Sequence, residues 1–146
     1  MSKARSRARR LAMQGLYEWQ LSENDPQEIL INYHQQHDLT NVDREYFQTL
    51  LLGVPNQLQA LDQALTPYLS RPIKEVDPIE LAILRLATYE MLNRLDVPYR
   101  VIINEAVELA KTFGAETGHK FVNGILDKVA ASTRAAEVKS RSKPKA

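Results

Sequence analysis

The chain is expected to be all-α, a compact bundle of helices. Three observations predict this. Apolar residues recur at spacings of three and four along most of its 146 residues, as one buried face of a helix requires. No stretch alternates apolar and polar residues as a half-buried strand does. And an Asp-Pro-x-Glu start occurs twice, at Asp25-Pro26-Gln27-Glu28 and at Asp77-Pro78-Ile79-Glu80. Each places an acceptor at the N-cap, proline at the first helical position and a carboxylate at the third. The sequences that follow the two starts differ, so they are similar caps and not a repeat.

The first helix is expected from about Lys3 to Leu21, with Ala8, Ala12, Leu16 and Trp19 on one face. The second starts at Asp25 and buries Ile29, Leu30 and Tyr33. A polar connection leads to Asp43, another N-cap residue. A long helical pattern follows, carrying Tyr46, Phe47, Leu50, Leu51, Val54, Leu58, Leu61, Leu65 and Tyr68. Gly53 and Pro55 predict a kink or break within it, because proline removes an intrahelical bond and clashes one turn back. The helix after Asp77 is apolar nearly all round and is expected to be central. Asp96-Val97-Pro98 breaks the chain again. A helix from Tyr99 to Phe113 follows, with Gly114 placed at its C′ position. The last helix spans about His119 to Ala131. Residues 1–133 form one domain in this reading, and 134–146 a flexible, disordered basic tail.

Charge is unevenly spread. Residues 1–10 and 134–146 hold ten of the 19 basic side chains and one of the 18 acidic ones. The body between them carries nine bases against 17 acids, a net charge of −8. Basic ends suit phosphate, and an acidic body suits a basic protein.

Several chemistries are not expected. There is no cysteine, hence no disulfide, thiolate or zinc-thiolate site. The basic start lacks the apolar stretch of a signal peptide, and no apolar run approaches the roughly 18 residues of a membrane span. A cytoplasmic protein is expected. His34 and His37 stand three apart without an acid to complete a metal set. Gly114 to Gly118 resembles a phosphate loop but has three residues between its glycines and no strand before it. No nucleophile elbow occurs. The protein is therefore expected not to be an enzyme and to need no cofactor.

Binding residues are the better candidates. Lys3, Arg5, Arg7, Arg9 and Arg10 open the chain, and arginine both forks onto phosphate and stacks on bases. Tyr17 lies two turns on, within reach of Arg10, Met13 or Gln14. Lys120-Phe121 pairs a charge for the backbone with a ring for a base, as a single-stranded RNA site needs. On spacing alone, simple core packing is the favoured account of Tyr17 and Phe121.

Several blocks then resemble the NusB family, the transcription antitermination Nus factor B proteins. They are the arginine-rich start with Ala12 to Leu21 (AMQGLYEWQL), Tyr68 to Arg71 (YLSR), Glu80 to Arg85 (ELAILR), Asp96 to Lys111 (DVPYRVIINEAVELAK), Phe113-Gly114, and His119 to Asp127 (HKFVNGILD). The resemblance implies a compact double helical bundle of about seven helices. It implies a heterodimer with the ribosomal protein NusE that binds boxA RNA of ribosomal RNA leaders and some phage transcripts. The pair would join an RNA polymerase antitermination complex with other Nus factors. It assigns Lys3, Arg5, Arg7, Arg9, Arg10, Tyr17, Lys120 and Phe121 to RNA, and Glu80 and Arg85 to NusE. The chain departs from the family's usual pattern at Thr117-Gly118 and at Pro55. A protein adaptor without sequence-specific RNA binding is the alternative. An RNA methyltransferase, some of which open with a similar domain, has no room for its catalytic part in 146 residues. A helix-turn-helix DNA reader lacks an evident recognition helix.

Overall fold

The computed structural model describes residues 2–142, and within them every regular element is helical. The α-helices are α1 (Lys3–Ser22), α2 (Pro26–Gln36), α3 (Arg44–Asn56), α4 (Leu58–Leu65), α5 (Pro78–Asn93), α6 (Tyr99–Phe113), α7 (Gly118–Thr133) and α8 (Ala135–Ser142). Short 3-10 turns at Thr66–Tyr68 and Ile73–Glu75 link α4 to α5. No helix among the described residues is long and apolar enough to cross a membrane.

The caps work as their sequences predict. Asp25 accepts from the Gln27 N–H, Asp43 from Tyr46, and Asp77 from both Ile79 and Glu80. Each satisfies donors that a helix start otherwise leaves unpaired. The predicted break after Gly53 and Pro55 falls at Gln57, between α3 and α4. Gly114 ends α6, but in extended backbone (φ −88°, ψ −179°) and not the left-handed form expected of a C′ glycine. Its N–H still reaches the Ala110 carbonyl at 2.9 Å.

Two bundles share one helix. α1, α2 and α3 pack together, α4, α6 and α7 form the second group, and α5 touches both. Every residue of α5 from Glu80 to Met91 is buried, which explains its lack of a polar face. Where α3 crosses it, a Cβ on Gly53 would lie 2.5 Å from the Tyr89 ring, so any side chain there would force that ring to move.

The tail expected from residue 134 is corrected over most of its described length. Arg134 is 6% exposed, and Ala135–Ser142 forms α8. The Arg134 guanidinium donates to the carbonyls of Met91 (2.8 Å), Val97 (3.0 Å), Glu90 (3.3 Å) and Arg94 (2.9 Å). Glu90 and Met91 lie in the last turn of α5, and Arg94 and Val97 in the connection after it, so one guanidinium fastens the end of the helix to the loop that follows. It also pairs with Glu137 at 2.7 Å, and Glu137 accepts from the Tyr99 N–H at 2.9 Å. One ion pair thus caps the end of α5 and the start of α6. Residues 143–146 of the tail lie outside the described residues.

Candidate nucleic-acid and partner interface

The arginine-rich helix has two faces. A 3.6-residue period puts Arg5 and Arg9 on the core side, three positions before Ala8 and Ala12 respectively. Arg9 is 1% exposed. Its guanidinium forks onto Glu90, with both bonds 2.9 Å, and reaches Glu105 at 3.0 Å. Tyr46 donates its hydroxyl to Glu90, and Ser6 donates to Glu105. Burial alone would lower the Arg9 pKa, but the Glu90 hydrogen bond and charge outweigh it and hold Arg9 above its ordinary value. Burial, then the Glu90 charge, push the Tyr46 phenol upward. Arg5 lies 4.3 Å from the Tyr46 ring centroid and 3.9 Å from Asp43. Arg9 is therefore corrected from a nucleic-acid contact to a core ion pair, and Arg5 is half-buried against the same cluster.

Lys3, Arg7 and Arg10 occupy the other face at i, i+4 and i+7, and all three are exposed. Arg7 donates to the Asn41 carbonyl at 3.2 Å, through one nitrogen of its fork. Arg10 lies over the Phe113 ring, 4.9 Å from its centroid. This stripe ends at an open groove of about 600 Å³. Met13, Gln14, Tyr17, Tyr33, Ile79 and Phe113 line it, so Tyr17 is half-buried at a wet surface and not in the closed core. Across the 114–117 connection, Lys120 is exposed and Phe121 half-buried, with the Arg71 guanidinium 5.8 Å from the Phe121 ring centroid.

The NusB family model matches residues 6–131 of this chain. The chain belongs to the NusB family. The transcription antitermination protein NusB of Nitrosococcus oceani is 56% identical over 141 residues, covering 97% of this chain and 95% of its own. That of Idiomarina loihiensis is 56% identical over 125 residues, covering 86% and 90%. Among solved structures, T. maritima NusB superposes with a TM-score of 0.81 at 29% identity, over 95% of this chain and 99% of that one. A NusB solved with NusE and double-stranded RNA superposes with a TM-score of 0.74 at 26% identity, over 90% and 99%.

The partner residues that the NusB resemblance assigned both lie on α5. Glu80 and Arg85 are each 8% exposed. Arg85 forks onto Asp62, with both bonds 3.0 Å, and donates to Gln20 at 3.0 Å. It ties α4 and α1 to α5, and its charge is already matched. Glu80 sits beneath Gly118, where a Cβ would collide with its carboxylate. Burial, then the Asp77 charge, raise its pKa, while the Ala115 backbone N–H and Arg71 act the other way. Both side chains face inward and are engaged within the chain. The histidines do not pair. The His37 ring stacks on Tyr33 at 4.6 Å, and His34 lies 6.3 Å from the Phe47 ring. No group of metal-ligating side chains occurs among the described residues.

Sequence reasoning missed Phe113 and Arg71 as members of this surface, and Tyr46 as part of the buried cluster behind it. Phe113 was legible only as core stripe, since nothing local says that Arg10 lies over it. Glu90 did carry a signal. An acid inside an otherwise apolar helix needs a buried cation, and the inward phase of Arg9 supplies one.

Proposed function

We propose that this protein is a transcription antitermination factor, working in the cytoplasm without catalysis of its own. It binds boxA single-stranded RNA of ribosomal RNA leaders as a heterodimer with ribosomal protein NusE and joins the RNA polymerase antitermination complex. The observation that carries this reading is the outward stripe of Lys3, Arg7 and Arg10, which leads to the aromatic groove at Phe113. Cations beside rings are what a single strand requires. The names of the 52–56% identical relatives and the NusB–NusE complex with double-stranded RNA support it. In this reading Lys3, Arg7 and Arg10 neutralise phosphates, Tyr17, Phe113 and Phe121 offer stacking faces, and Lys120 adds a further charge. The acidic body receives the basic ribosomal protein.

Fluorescence anisotropy with labelled boxA RNA, a scrambled strand and a duplex, with and without NusE, tests the reading. Preference for the boxA strand that tightens with NusE is expected. Replacing Lys3, Arg7 and Arg10 together with alanine should lower the salt slope by about 2, at roughly 0.7 per phosphate on a single strand. Tight NusE pairing without RNA discrimination would leave a protein adaptor instead.

A further inference from the structure

A second polar site lies on the α6–α7 side of the molecule. The start of α6 meets the middle of α7, where Tyr99, Arg100, Ile103, Asn104, Asn123 and Asp127 line a pocket of about 240 Å³. Tyr99 and Ile103 form its floor, 8% and 6% exposed. The other four are exposed. Among the described residues, none of those four side chains has a hydrogen bond or ion pair, and Arg100 only rests 5.7 Å from the Tyr99 ring centroid. What sets these four apart is that a cation, two carboxamides and a carboxylate, all without a partner in the chain, face one pocket.

Gly124 adds to this. It sits inside α7, where glycine costs about 1 kcal/mol against alanine. A Cβ there would meet nothing within 4 Å, so internal packing does not require the glycine. Its absence of side chain leaves the helix surface beside Asn123 open to close approach.

The four groups match one nucleotide. A free guanidinium forks onto phosphate. Each carboxamide sets a donor beside an acceptor, the pattern of a base edge. A carboxylate accepts from an exocyclic amino group or a 2′-hydroxyl. A protein partner fits less well. Protein interfaces draw their affinity from buried aromatic and aliphatic anchors, and both apolar members of this pocket are already covered by their own chain. The site is also continuous with the surface proposed above. Lys120, Asn123 and Asp127 fall on one face of α7, spanning about 10 Å at 1.5 Å per residue.

We infer that this pocket reads one unstacked base of single-stranded RNA. The phosphate lies on Arg100, the base edge on Asn104 and Asn123, and an amino group or 2′-hydroxyl donates to Asp127. The inference rests on the RNA-binding function proposed above and names a subsite for it.

The test uses the full chain paired with NusE and labelled boxA RNA extended at both ends, beside a scrambled strand. The Asn104→Ala/Asn123→Ala double variant is expected to weaken boxA binding about tenfold while leaving the scrambled strand unchanged. Arg100→Ala should weaken both strands alike and reduce the salt slope by about 0.7. All three residues are exposed and unpaired, so thermal melts of the variants should match the parent. If the double variant keeps boxA affinity and discrimination, the subsite is overturned while the RNA-binding function stands. If the parent chain binds neither strand, both fall. If the variants lose NusE pairing while the unpaired chain keeps its RNA affinity, the pocket belongs to a protein, and the inference is likewise overturned.

Discussion

Replacing Arg9 with alanine removes three charge-assisted bonds, two to Glu90 and one to Glu105. Glu90 is 1% exposed, so water cannot take over. Its carboxylate would keep the Tyr46 hydroxyl but lose its counter-charge. Breaking a buried pair in this way costs about 3–5 kcal/mol. That is a large share of the 5–15 kcal/mol by which ordinary domains are stable. At about 3 °C per kcal/mol for a chain of this size, the melting temperature should fall by roughly 10 °C or more. Urea titrations of Arg9→Ala, Glu90→Leu and the double variant separate the pair from its surroundings. The double variant should be much more stable than the sum of the single losses predicts, because it removes the fully buried carboxylate and leaves only Glu105, at the edge of the cluster with the Ser6 hydroxyl, without its cation. Arg7→Ala, on the solvent face of the same helix, should change stability by no more than about 0.5 kcal/mol. A loss under about 1 kcal/mol for Arg9→Ala, or additive losses in the cycle, would refute the buried-pair account.

Two further predictions concern the ends of the central helix. Arg134→Ala takes one donor from each of four carbonyls around the end of α5 and removes the ion pair with Glu137. Amide exchange should quicken in α8 and the last turn of α5 while α1 stays protected, and parental exchange rates in α8 would count against the clamp. At the other end, Glu80 has a pKa raised by burial and by Asp77 above its ordinary 4.5. The folded state thus binds this proton more tightly than the unfolded state. Its ionised form costs stability that is absent below the unfolded value and fully present above the raised one. Glu80→Gln should therefore melt above the parent near neutral pH, with the gap closing as pH falls toward 4.5. A gap that is constant or widens in acid would exclude this origin.

The helices were legible because their starts are local chemistry. Asp25, Asp43 and Asp77 each cap within three residues of themselves, and proline fixes the boundary at Pro98. The division of α1 into two faces was half legible. The phase of Ala8 and Ala12 turns Arg5 and Arg9 inward, but the partners lie 81 and 96 positions from Arg9, and only packing joins them. Arg85 and Asp62 were opaque for the same reason. Arg134 left least trace, because it binds mainly backbone carbonyls, which every residue carries. A charged stretch near the end of a sequence reads the same whether or not its first residue closes the core.

The inward arginines also bear on the thermodynamics of binding. Many arginine-rich segments are disordered until they meet nucleic acid and spend part of their interaction energy, about 2–5 kcal/mol, on becoming ordered. Here Arg5 and Arg9 fasten α1 to the core from its first turns, so the spacing of Lys3, Arg7 and Arg10 is set before any ligand arrives. The entropy of ordering that stripe is charged to folding and not to association. Association at this surface should accordingly show little gain in helix content, and a heat-capacity change that reflects only the area of contact.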